Sequence, residues 1–240
     1  MISRRQVLAA ALGLAAAAAC VKAALWQLDR LHGRQLVNAL KISRLVAPPS
    51  SPFGMLPGTR RWRRVSVAGT FDFDHQIVLA DRSLDGAPGV NVITPFMPDV
   101  RAAPILVNRG WVYAPDAQTI QVSAHDEPPR QTITGYVEEF KYEGTGPART
   151  ASTPNAWRRL DAREIKQAFP YPIAPFYVVA QADSGVPPAP NAPVRLPLPS
   201  LDEGPHRGYA IQWFAFALIA LGGASVVIYK ERQTASTGKS

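Results

Sequence analysis

Cysteine is nearly absent: Cys20 stands alone in 240 residues. The chain can form no internal disulfide, and thiol redox chemistry and cysteine-rich metal binding are excluded. Histidine is scarce too, with four residues scattered at 32, 75, 125 and 206, no His-Glu-x-x-His motif and no local ligand set. The nearest approach to a Gly-x-Ser-x-Gly elbow, Gly223-Ala224-Ser225, lies inside an apolar run and lacks the last glycine. Gly144 and Gly146 are followed by Arg149 where a dinucleotide fingerprint needs its third glycine. The acidic pairs Asp126-Glu127 and Glu138-Glu139 are adjacent, so on a strand each pair points to opposite faces, the wrong arrangement for joint acid and base work. No catalytic constellation remains on which to build an enzyme.

Negative charge is in deficit, with 18 Asp and Glu against 26 Lys and Arg and a pI near 9.9. A nucleic-acid binder would show basic runs interleaved with aromatics, and none occurs. Residues 29–208 are close to balanced, with 20 basic and 17 acidic residues. The remaining surplus sits beside two hydrophobic ends, in Arg4, Arg5, Lys22, Lys230, Arg232 and Lys239 against Glu231. That distribution marks the cytoplasmic side of a membrane protein and argues against nucleic acid as a partner.

What the chain has in abundance is apolar length at both ends. From Tyr209 to Tyr229 run 21 residues without a charge, enough helix at about 1.5 Å per residue to cross a hydrocarbon core of roughly 30 Å. Tyr209, Trp213 and Tyr229 suit the interfacial aromatic belts, and Lys230, Arg232 and Lys239 place the C-terminus in the cytoplasm, with His206 on the opposite side. At 100° per residue, His206, Tyr209, Trp213, Ala217, Ala220 and Ala224 share one face, with Ala210 at its edge. A histidine above two aromatics and a strip of small residues has two readings, close packing against another helix or a ligand site at the membrane surface.

Val7 to Leu28 is apolar and alanine-rich apart from Lys22. A cleaved signal peptide, a twin-arginine or lipoprotein signal around Ser3-Arg4-Arg5 and Ala18-Ala19-Cys20, and a retained transmembrane helix compete for it. The span exceeds a usual signal core, and an amphipathic pattern continues through Leu31, Leu36 and Leu40, which favours the retained helix. All three readings place the middle of the chain outside the cytoplasm. No Arg- and Ser-rich transit peptide is present, which favours a bacterial inner membrane over a mitochondrial one.

Between the ends, prolines at 48, 49, 52 and 57 force an irregular connection. Runs rich in β-branched and aromatic residues then recur at Arg64–Phe71, Gln76–Ala80, Val90–Phe96, Pro104–Tyr113, Thr132–Phe140 and Pro175–Ala182, separated by turn residues. Asp161 and Glu164 form a capping-box-like start for one helix that Pro170 ends. Six prolines from 187 to 199 make an extended strap leading back to the membrane.

The fold class expected is therefore an integral membrane α+β protein, two transmembrane helices bracketing a β-rich extracytoplasmic domain built as an antiparallel sheet or partial barrel. The expected segments are a cytoplasmic N-terminus at 1–6, the first span at 7–28, a helix extension and proline-rich connection at 29–61, the β-rich periplasmic domain at 62–186, the strap at 187–205, the second span at 206–229 and a cytoplasmic tail at 230–240.

Six local sequences within that frame resemble the SURF1 (Shy1) family of cytochrome oxidase assembly proteins. They are Trp26-Gln27-Leu28-Asp29-Arg30, Gly69-Thr70-Phe71-Asp72, Gly89-Val90-Asn91-Val92-Ile93-Thr94-Pro95-Phe96, Val107-Asn108-Arg109-Gly110-Trp111-Val112, Ala174-Pro175-Phe176-Tyr177-Val178, and His206-x-x-Tyr209-Ala210-x-Gln212-Trp213-Phe214. The resemblance implies a non-enzymatic factor that helps build subunit I of haem-copper oxidases, with other assembly factors, the lipid bilayer and a further copy of the chain as expected partners. Some bacterial members are regarded as haem a carriers, and the residues allow that chemistry. His206 offers an axial nitrogen for haem iron. Tyr209 and Trp213 offer stacking surface, and Ala210, Ala217 and Ala220 leave room for a macrocycle. Arg207, Arg30 and Arg34 are available to the propionates. Trp26 and Gln212 join the expected cofactor set through their motifs. Asn108, Arg109, Gly110 and Trp111 form a signature with two readings, packing within the sheet or a patch facing membrane or client.

Overall fold

The computed structural model describes residues 3–140, 146–150, 153, 155–182 and 189–237. The expectations resting on Gly144, Pro187, Pro188 and Lys239 lie outside the described residues. The chain forms two compact units, one drawn from residues 1–41 and 200–240, the other from 42–199.

The first unit is a helix pair. Helix α1 runs Arg4–Leu45, 42 residues and about 63 Å of helix, long because alanine dominates its first half and no proline occurs before Pro48. The C-terminal helix, His206–Thr237, starts on the carbonyl of Pro205, which accepts from the Tyr209 amide. It is called α3 below, after the short α2 of the second unit. Both helices are long and apolar enough to cross a membrane.

The two helices lie antiparallel along a seam. The Ser3 hydroxyl meets Glu231 at 2.7 Å near one end, and Gln35 meets Glu203 at 3.1 Å near the other. The buried positions of α1, among them Gln6, Gly13, Ala17, Ala24, Gln27 and Asn38, repeat every 3.5 residues on average. On α3 the most buried residues are Ala210 and Ala217. Such a period keeps one stripe of each helix against its partner, and small side chains let the backbones approach. The large apolar residues, including Leu12, Leu14, Leu25, Phe214, Leu218 and Ile219, point away from the seam and are exposed.

Among the described residues the second unit contains seven strands, β1 (Arg64–Phe71), β2 (Ile77–Leu84), β3 (Ala87–Pro98), β4 (Ile105–Tyr113), β5 (Arg130–Glu139), β6 (Ala156–Trp157) and β7 (Phe176–Ala180), with helix α2 (Ala162–Ala168). β2 turns into β3 through Asp85-Gly86, both at positive φ, the geometry a two-residue hairpin demands. Strands β1, β5, β7, β4 and β3 form a ring closed by the pairing of Gly69–Phe71 with Phe96–Pro98, while β2 and β6 extend beyond β3. Of the two expected architectures, antiparallel sheet or partial barrel, the barrel is the one found, closed as a ring; outside it β2 and β6 pair in parallel, and within it the expected antiparallel order is broken by one parallel pair, β4 with β7. The reason is parity. Five strands cannot alternate direction all the way round a closed ring, so at least one neighbouring pair must run the same way.

Inside the ring pack Val65, Val67, Phe71, Phe96, Ile105, Val107, Ile133, Val137, Phe176 and Val178, with Phe53 and Met55 of the proline-rich connection against them. The other face of β2, β3 and β4 buries Leu79, Ile93 and Leu106 under Trp157, Ile165 and Phe169 of the α2 layer. At roughly 2 kcal/mol or more for each such side chain, these two clusters hold the domain without a disulfide. Asp161 caps α2 by accepting from the Arg163 and Glu164 amides; Glu164 turns instead to the Ala148 amide at 2.7 Å, so the capping box is half formed and its acidic arm anchors another segment.

Candidate functional site

In the helix pair, the polar centre is His206 at the start of α3. Its Nδ1 lies 2.8 Å from Oε1 of Gln27, a residue buried within α1. An amide oxygen only accepts, so Nδ1 donates in this bond, and in the neutral imidazole the lone pair is then carried by Nε2. This is the orientation and tautomer that a second residue imposes on a ligating histidine. The ring is half-buried, with the backbone of Gly204 beside its Nε2 edge. Among the described residues no group of three or more His, Cys, Asp or Glu side chains is placed to hold a metal ion, so an iron here depends on its macrocycle for the remaining ligands.

The other expected site residues divide sharply. Trp213 is half-buried and meets Phe216 edge-on at 5.7 Å. Tyr209 is 48 % exposed, and Arg207 and Gln212 are exposed as well. Within the expected shared face the cover is uneven: Ala210 at its edge is 1 % exposed, whereas Tyr209 is left open. Measured round the helix, position 210 lies about 40° from His206 and position 209 about 60° on the other side, so the face that α1 covers includes the first and leaves out the second.

On α1, Trp26 is 52 % exposed, with the Arg30 guanidinium 5.4 Å from its ring centre, and Arg34 is exposed. The room expected for a macrocycle over Ala210, Ala217 and Ala220 is filled by α1 itself. A Cβ on Gly13 would stand 2.4 Å from Cβ of Ala224 and 3.3 Å from the Ala220 carbonyl oxygen.

In the second unit the Asn108-Arg109-Gly110-Trp111 signature lies on β4. Arg109 is 0 % exposed and points into one end of the ring. Its Nε donates to Glu127 at 2.9 Å and its Nη1 to Gln76 at 2.8 Å, another donation reaches the His125 carbonyl, and the rings of Phe71 and Phe73 lie within 5.3 Å. Glu127 also receives Arg195 at 2.5 Å, and Arg195 donates to the Arg109 carbonyl. Burial works to raise the Glu127 pKa, but the two guanidinium groups outweigh it and hold the carboxyl below its ordinary value.

Gly110 sits at φ +132 with the Val194 carbonyl so close that a Cβ would stand 2.3 Å from it. Trp111 exchanges two backbone hydrogen bonds with Val194, at 2.7 and 2.8 Å. The Asn108 side chain accepts from the Gly110 amide. The later part of the strap is thus fastened along β4. A fully enclosed guanidinium forms no outward patch, so Arg109 acts inside the domain.

The SURF1 family profile matches residues 14–218, which is most of α1, the first turns of α3 and everything between them. The chain belongs to the SURF1 family. An uncharacterized SURF1-like protein of Mycobacterium tuberculosis is 27 % identical over 178 residues, covering 71 % of this chain and 61 % of that relative. A SURF1-like protein of Rickettsia prowazekii is 26 % identical over 211 residues, 85 % of this chain and 82 % of its own length. The surfeit locus protein 1 of Arabidopsis thaliana is 44 % identical over 75 residues, 28 % of this chain and 21 % of that protein. Against the mycobacterial relatives the match spans 61 % of their length.

Three residues at the core of these arrangements escape a reading of the SURF1 motifs as strings. Gln27 attracts notice only as a motif member, although an amide inside an apolar helix is itself a signal of a buried partner. Glu127 and Arg195 carry no signal in their local sequence.

Proposed function

We propose that the protein is a membrane-anchored assembly factor for haem-copper cytochrome oxidase that holds haem a through His206 and assists its insertion into subunit I. Family membership supports the role in oxidase assembly, and the family is one of assembly factors rather than enzymes. The observation that carries the haem reading is the Gln27–His206 bond, which leaves Nε2 available as an axial donor. The haem would be cargo, held through its iron and passed on whole. The chain supplies the imidazole, its orientation through Gln27, and exposed arginines at positions 30, 34 and 207 for carboxylates. Because α1 fills the small-residue seam, the macrocycle lies outside that seam or the helices part to admit it.

The anchors are α1 and α3, each lipid-facing on its exposed apolar side, with residues 42–199 outside the cytoplasm of a bacterial inner membrane. The test is the visible spectrum of protein purified from cells that make haem a. His206→Ala is expected to abolish the bound haem bands, and Gln27→Leu to reduce occupancy with the fold retained. Unchanged bands in His206→Ala sink the assignment.

The filled seam favours a second reading, a chaperone that grips immature subunit I through protein contacts while any haem belongs to the client. Co-purification of subunit I with haem-free protein, equally in wild type and His206→Ala, selects it.

A further inference from the structure

The outer face of the ring carries a recess of about 540 Å³, apart from His206 and Gln27. Its floor is the face shared by four neighbouring strands, with Tyr136 from β5, Tyr177 from β7, Asn108 from β4 and Asn91 from β3. Four arginines stand round it against two glutamates. Several of these charges are already engaged: Arg61 pairs with Glu138 at 2.8 Å, Glu139 accepts from the Gly58 amide at 3.0 Å, and Arg159 lies 3.6 Å from Asp161. Arg82 and Arg158 are different. Neither has a carboxylate at ion-pair distance among the described residues, and Arg82 reaches only carbonyls, those of Asp81 at 3.2 Å and Arg158 at 2.6 Å. Asn91 is 6 % exposed, yet its Oδ1 has no hydrogen-bond partner. Buried polar atoms are rarely left so, and an unpaired one in the wall of a cavity points to a donor supplied from outside.

We propose that this recess binds a phosphate monoester of a small polyol, the phosphate set between Arg82 and Arg158 and a hydroxyl of the polyol directed to Asn91. Two unpaired guanidiniums call for a dianion, which a phosphate monoester supplies and a single carboxylate does not. Both tyrosines remain protonated donors, since burial and then the charge of Glu138 push the Tyr177 hydroxyl up to about 12 and raise that of Tyr136 as well. The volume is that of a small-molecule site. The same chemistry occurs in a soluble polyol phosphate and in the headgroup of phosphatidic acid.

The experiment is a calorimetric titration of the full chain in detergent micelles with glycerol 3-phosphate, repeated in nanodiscs of phosphatidylcholine alone or doped with phosphatidic acid. Saturable binding is expected in micelles. Binding lost only in the doped nanodiscs supports the site with the lipid as its source, and binding kept there supports it with the soluble ester. Arg158→Gln is expected to weaken binding about tenfold. Its melting temperature without ligand should be unchanged, because that side chain is exposed. Arg82→Gln should weaken binding at least as much, while Arg130→Gln, whose partner Asp99 lies outside the recess, should leave it unchanged. No saturable heat in any format, or equal affinity in wild type and both recess variants, overturns the proposal.

Discussion

Glu127 holds two guanidinium groups, Arg109 and Arg195, from opposite sides, and this gives the domain a defined response to acid. Its folded-state pKa lies below the ordinary carboxylate value. The stability it contributes is therefore complete above that ordinary value and disappears as pH falls through the folded one. Thermal melts across pH 3–7 should show a decline at the acid end that Glu127→Gln flattens. At neutral pH the same variant should cost roughly 3 kcal/mol, because it strips the main counter-charge from a buried cation. Gly110→Ala combines a left-handed backbone with a collision against the Val194 carbonyl, and about 2–4 kcal/mol of destabilisation is expected by chemical denaturation. Gly110→Glu should lower the amount of folded protein still further. A Gly110 variant that accumulates normally yet fails to support oxidase assembly would point to contact with the client instead.

Helix and strand positions were open to inspection in the sequence for reasons that differ by element. β1 reveals itself because one of its faces is buried and the other is not, so Val65, Val67 and Phe71 alternate with exposed residues. β7 is legible as a strand, since Phe176–Ala180 is a short apolar run, but its partners are not. Its neighbour β4 is more than sixty residues earlier, and nothing local selects a parallel register. Distance hides the sites in the same way. Gln27 and His206 are 179 positions apart, and Arg195 lies 86 beyond the carbonyl it reaches. The helix pair offers its own test. Gly13→Leu should force α1 from α3 and lower the melting temperature in detergent, and Ala224→Gly should recover part of the loss. Gly33→Leu, with nothing within 4 Å of a Cβ, should have little effect.

For the molecule as a whole, the proposed topology requires one sidedness for everything from 42 to 199. Alkaline phosphatase joined at position 146 should be active and a fluorescent protein joined after 240 should light up; the reverse pattern would remove the anchor arrangement. The parallel pairing of β4 with β7 has a consequence for biosynthesis. Among the described residues β7 is the last strand to be made, yet it lies between β4 and β5, which are completed long before it. Until Phe176–Ala180 arrives, the wall has a gap one strand wide and its phenylalanines and valines stay wet. This keystone has to be set late, over a long chain separation, and that makes its insertion the natural slow step of maturation.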